Sequence, residues 1–126
     1  MLNVSMYTPM NFDRLLGTPG FSDTLLKNHF TLYEGYVKNV NAMTEKLAIL
    51  RTDGKTATVE YAELKRRFGW EFNGMRLHEL YFQNMTKEEK LEVRSKNLEM
   101  SPLGEAVSGS FGSWDDWLSD FKASGT

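Results

Sequence analysis

Few residues of this chain can carry chemistry. It has two histidines, His29 and His78, and no cysteine, which removes disulfides, thiolate nucleophiles, Cys-ligated zinc and iron–sulfur clusters. His29 is followed by Tyr33 and Tyr36 at offsets of four and seven, and preceded by Leu25 and Leu26. His78 is followed by Tyr81, Phe82 and Met85 at offsets of three, four and seven. On a helix such offsets share one face, so each imidazole is expected within an aromatic and aliphatic stripe. Two imidazoles meeting there would begin a transition-metal site. A pair of hydrogen-bonded core histidines is the competing reading, and spacing alone leaves both open.

Several other motifs fail, and a serine nucleophile with a histidine base is left without a supporting motif. There is no Glu-x-x-His to support a di-iron carboxylate bundle. His78-Glu79-Leu80-Tyr81-Phe82 places Phe where the His-Glu-x-x-His zinc-protease pattern needs its second histidine. The chain contains neither a Gly-x-Gly-x-x-Gly or phosphate loop nor a Gly-x-Ser-x-Gly nucleophile elbow.

The histidines must be held by helices. Ser22 reads as an N-cap with Asp23 in the first turn, and Gly35 alone interrupts the pattern up to about Arg51. That is roughly 45 Å of helix at ~1.5 Å per residue. Thr52-Asp53-Gly54 signals a turn. A second long helix is expected from Thr56–Thr58 to about Met85, carrying Gly69 and Gly74. Each interior glycine costs about 1 kcal/mol relative to Ala, so close packing or a kink is expected there. Thr86-Lys87-Glu88-Glu89 matches a capping box opening a charged segment to about Asn97, read as a solvated face. Ser101-Pro102 opens a short helix ending near Gly109, and Ser113 opens a last one bearing Trp117, Leu118 and Phe121. The fold class is all-α: a long antiparallel helical hairpin followed by short helices. Residues 1–21 are expected to form an irregular lead-in, 22–100 the helical-hairpin domain, and 101–126 the truncated start of a C-terminal domain.

Composition narrows the functional classes. The 126 residues are 40% apolar and 13% aromatic, with a net charge of −2. This suits one core-forming domain and lacks the basic balance of a generic nucleic-acid binder. No apolar run approaches the ~20 residues of a membrane span, and the first residues lack the charged and apolar regions of a signal peptide. A soluble cytoplasmic domain without nucleic-acid or membrane partners is therefore expected.

Three blocks carry a family resemblance. The run Leu26-Lys27-Asn28-His29-Phe30-Thr31-Leu32-Tyr33-Glu34-Gly35-Tyr36-Val37-Lys38-Asn39-Val40-Asn41 resembles the first long helix of iron/manganese superoxide dismutases. There, a ligand histidine leads to Tyr-Val-x-Asn-x-Asn. Phe72-Asn73-Gly74-Met75-Arg76-Leu77-His78-Glu79-Leu80-Tyr81-Phe82 is similar to the second helix, around the second ligand. Ser110-Phe111-Gly112-Ser113-Trp114-Asp115-Asp116-Trp117 is similar to the segment after that hairpin. The order agrees, from about residue 21 to 124.

The resemblance implies one iron or manganese ion per complete subunit, dismuting superoxide anion to oxygen and hydrogen peroxide. His29 and His78 would be two of its ligands, and Tyr36 the nearby hydroxyl with Tyr33 beside it. Phe82, Tyr81 and Trp70 would be candidates for the wall that keeps the site dry, with ordinary core packing the alternative for Tyr81 and Trp70. Arg76 and Lys38 would attract the anion or serve as plain surface charges. The family's other two ligands, an Asp and a His, belong to a C-terminal α/β domain whose motif is absent here. The chain thus reads as the N-terminal part of a dismutase that forms homodimers when complete. It should expose Trp114, Trp117, Leu118 and Phe121 where that domain would pack. The spacing from His29 to Tyr36 is one residue shorter than the family's. A non-catalytic helical module without metal is the alternative.

Overall fold

A computed structural model describes residues 5–87 and 98–125. Among these the chain is helical, without strands, and it divides into two compact units, Met1–Lys87 and Glu88–Thr126.

The first unit is the expected hairpin of α1 (Asp23–Thr52) and α2 (Val59–Asn84). Both N-termini are capped as their sequences require: the Ser22 hydroxyl accepts from the Leu25 N–H, and the Thr58 hydroxyl from the Tyr61 N–H. α1 ends where Gly54 adopts φ 69°. The Lys55 N–H then reaches the Leu50 carbonyl at 2.8 Å, and the Gly54 N–H reaches that of Arg51 at 3.2 Å. This six-to-one and five-to-two closure reverses the chain, and Gly54 enters the left-handed region without a side-chain penalty.

The buried positions of α1 are Leu26, Phe30, Tyr33, Val37, Val40, Leu47, Ala48 and Leu50. From Leu26 to Val40 the steps alternate between four and three, which lays a seam along the helix. α2 answers with Glu71, Met75, Glu79 and Phe82. Two of those four are carboxylates, so the seam cannot be purely hydrophobic.

The lead-in is structural rather than loose. A short 3-10 turn, Asp13–Leu15, buries Leu15, and Phe12 packs at 4.8 Å from the ring of Phe82. Asn41 brackets Tyr7, accepting its N–H at 2.8 Å and donating to its carbonyl at 2.9 Å. The Arg14 guanidinium donates to the carbonyls of Phe82 and Met85 at the end of α2. The Phe82 carbonyl also accepts the Met85 N–H at 3.3 Å, and the helix dipole favours a cation at this end.

The second unit contains α3 (Pro102–Phe111) and α4 (Trp114–Ala123). Ser101 and Ser113 cap them, and Gly112 at φ 96° separates them. The Ser113 hydroxyl also donates to the Asp116 carboxylate at 2.6 Å. Trp114, Trp117 and Leu118 are half-buried, while Phe121 remains 63% exposed. The charged segment expected from the Thr86 capping box to about Asn97 lies, beyond Lys87, outside the described residues. No helix among those described is long and apolar enough to cross a membrane.

Candidate metal centre

Opposed helices bring the two histidines together. The rings of His29 on α1 and His78 on α2 are 4.9 Å apart between centroids and nearly perpendicular, at 85°. Both are half-buried. α1 is continuous through this region. Seven residues make nearly two full turns at 3.6 residues per turn, so Tyr36 returns to the face of His29 without a bulge. Its ring lies 5.2 Å from that of His78. The shorter spacing noted in the sequence is therefore the one a regular helix tolerates.

The tautomer of His78 is set by its neighbour. Its Nδ1 lies 2.6 Å from the Gly74 carbonyl oxygen. A carbonyl only accepts, so Nδ1 carries a proton, and the neutral form of this ring bears its lone pair on Nε2. His29 titrates below its ordinary value of 6.5, first because burial penalises the cation and second because His78 repels it. At neutral pH this favours the uncharged imidazole, the form that binds metals.

Aromatic rings surround the pair. Phe82, fully buried, lies 4.9 Å from His29 and 6.0 Å from His78. Tyr81 lies 5.5 Å from His29, with much of its surface in solvent. Trp70, expected in that wall, is 68% exposed and stands away from the pair's aromatic surround among the described residues.

Tyr33 sits elsewhere in the seam. Its ring meets Phe12 and Phe82, its hydroxyl donates to the Glu79 carboxylate at 3.1 Å, and the Met10 N–H donates to it at 3.0 Å. Burial, more than any other cause, raises its phenol above 10.0. A cavity of about 250 Å³ is lined by Pro9, Asn11, Phe30, Tyr33 and their neighbours, and neither histidine lines it.

Two carboxylates were not singled out from the sequence. Glu79 is held by Tyr33 and by Arg76 at 2.6 Å. Glu71 accepts from Asn39 at 3.0 Å and from Arg67 at 2.7 Å. The available signal was an Arg three or four residues before each Glu on a core-facing stripe. Arg76, read as a plain surface charge or an anion attractor, is the ion-pair partner of Glu79.

The donor set can be tested against a metal. Metal–imidazole bonds of ~2.0–2.1 Å, plus the ring radii and a roughly tetrahedral angle, put ring centres ~5 Å apart, close to the separation observed. His78 also has the backbone hydrogen bond that a ligand histidine normally donates from its other nitrogen. The pair fits as two ligands. Among the described residues no group of three or more His, Asp or Glu side chains could hold an ion.

Comparison with known proteins agrees in part. An iron superoxide dismutase of Aquifex pyrophilus is 36% identical over 88 residues, covering 64% of this chain. The chain spans 41% of that relative's length. No family model matches the chain, and no solved structure matches it. The findings thus extend to a partial similarity with one named dismutase.

Proposed function

We propose that this chain is the N-terminal helical part of an iron/manganese superoxide dismutase, with His29 and His78 as two of the metal's ligands. The observation that carries the reading is the meeting of the two imidazoles across the α1–α2 seam, with Nδ1 of His78 already donating to Gly74. The partial similarity to the Aquifex pyrophilus enzyme supports it independently. Residues 101–126 would begin a C-terminal α/β domain supplying the remaining ligands, and the complete protein would be a homodimer.

Bound there, iron or manganese would supply the one-electron redox chemistry that converts two superoxide anions and two protons into oxygen and hydrogen peroxide. The chain's own residues prepare the place. His29 is kept neutral by burial and by its neighbour, so its lone pair is available at working pH. His78 is fixed in one tautomer, which removes the cost of selecting it on binding. Phe82 excludes water from beneath both rings, and Tyr81 shields His29 from the side. Tyr36, whose ring packs on His78, is the proposed hydroxyl at the substrate's approach. Tyr33 is a positioning residue, acting through Phe82 and Glu79.

Two imidazoles fill half of a four-coordinate site. The 126-residue chain alone should therefore bind iron or manganese weakly and turn over superoxide poorly. Metal analysis and a dismutase assay on this chain test that expectation, and near-stoichiometric metal with robust turnover would refute it. The alternative is a non-catalytic helical module with no bound metal. Imidazole resonances that ignore added cobalt, iron and manganese would establish it.

A further inference from the structure

Gly74 is an interior glycine of α2, one turn before His78, and two separate observations converge on it. A β-carbon built there would lie 2.5 Å from both Cδ1 and Cε1 of Tyr36 and 2.9 Å from its Cγ. Gly69, the other interior glycine of α2, has nothing within 4 Å of that position. Of these two glycines of α2, it is Gly74 whose missing side chain admits a neighbour. The intruding group is an aromatic ring on the opposite helix, which cannot fold out of the way as a flexible chain would. The second observation is the Gly74 carbonyl, 2.6 Å from Nδ1 of His78. One residue thus touches both parts of the site that lie beyond His29.

We infer that Gly74 is the positioning residue of the histidine pair: its absent β-carbon lets Tyr36 lie against His78, and its carbonyl fixes the His78 tautomer. The inference rests on the metal reading above for its consequence, but its geometry does not. Tyr36 packs 5.2 Å from His78, and His78 packs 4.9 Å from His29. Any group placed at Gly74 drives the Tyr36 ring toward solvent or toward the imidazole. Either movement disturbs the second of two rings that must converge within bonding reach of one ion. Supporting contacts of this kind typically govern about 10–100-fold in metal affinity.

The test uses the 126-residue chain, Gly74→Ala, Tyr36→Ala and the double variant. Cobalt titrations are followed through the imidazole resonances, and nitrogen-15 shifts report the tautomer of His78 without metal. Gly74→Ala should bind cobalt at least about tenfold more weakly than the parent and lose the uniform Nδ1–H state of His78. Removing the Tyr36 ring should cure this, so that the double variant matches Tyr36→Ala alone in affinity and tautomer. Gly74→Ala with parental affinity and tautomer, even at a lowered melting temperature, overturns the inference, because only packing was then lost. Should Gly74→Ala not fold, a folded double variant matching Tyr36→Ala supports the clash, and an unfolded one overturns it. A parent that ignores cobalt defeats the metal reading, while the metal-free tautomer series still decides the role of Gly74.

Discussion

Two kinds of polar contact cross the α1–α2 seam, and they are finished differently. At the carboxylates every partner is supplied from within: Glu79 receives Tyr33 and Arg76, and Glu71 receives Asn39 and Arg67. At the histidines the contacts across the seam are ring against ring, and the hydrogen bond from His78 to Gly74 runs within α2. Exposed Leu25 and Leu32, four residues before and three after His29, flank that end, as does Tyr81. A saturated buried carboxylate holds a fold together, because removing any partner strands a charge. A half-buried imidazole pair with an available lone pair does little for the fold and is suited to bind something. The same seam thus carries a saturated carboxylate part and the proposed binding part a few turns apart.

The strongest way to break that division is to remove what the two parts share. Phe82 is fully buried and touches Phe12, Phe30 and Tyr33 on one side and both histidines on the other. Phe82→Ala should cost about 4 kcal/mol in denaturant unfolding, since Phe→Ala in a core typically costs ~3–5 kcal/mol. It should also weaken any metal response. A loss below about 1 kcal/mol would mean that this ring is not the shared core.

The carboxylate part is addressed next. Arg67→Met removes the cation beside a Glu71 side chain that is 2% exposed. It should cost about 3 kcal/mol, the low end for breaking a buried pair, because Arg67 itself is largely solvated. The companion variant Glu71→Gln, which has no charge to strand, should cost less. Equal losses from the two would show that the charge is not what matters.

Tyr33 gives a smaller effect with a pH signature. Tyr33→Phe deletes the bond to Glu79 and the acceptor for the Met10 N–H, and should cost about 2 kcal/mol at neutral pH. Burial raises the phenol above 10.0 in the folded chain. In alkali the unfolded state therefore releases this proton first, and stability falls as pH rises. The advantage of the parent over Tyr33→Phe should be complete below pH 10 and vanish as pH climbs through the folded value. Parallel stability curves for the two proteins would contradict the burial of this hydroxyl.

How much of this was legible beforehand follows from the physics of each signal. Caps, the turn at Gly54 and the helical periodicity are local, and Ser22, Thr58, Ser101 and Ser113 all cap as their sequences indicate. The meeting of His29 with His78 was also legible, because a hairpin leaves few registers for two aromatic stripes. Other features were hidden because they depend on partners distant in sequence. The lead-in looks irregular, yet Phe12 and Leu15 join the core and Asn41 clamps Tyr7. Trp70 shares an aromatic helix with Phe82, but lies on its solvent side. The buried carboxylates are ordinary i,i+3 and i,i+4 charge pairs until α1 closes over them.

The smallest expected effect on the fold is the most informative about function. His29 is half-buried, and its contacts are with His78, Tyr81 and Phe82. His29→Ala should leave the helical signal intact and cost no more than about 1 kcal/mol without metal, as at positions away from buried networks. A ligand that binds only the folded state raises the melting temperature by mass action. Cobalt or manganese should therefore stabilise the parent and leave His29→Ala unmoved, and likewise His78→Ala. That contrast separates a ligand from a core residue: a core histidine shows its loss without metal, whereas a ligand shows it only when metal is added. A large metal-independent drop for His29→Ala would place the histidines with the carboxylates, as part of what holds the seam together.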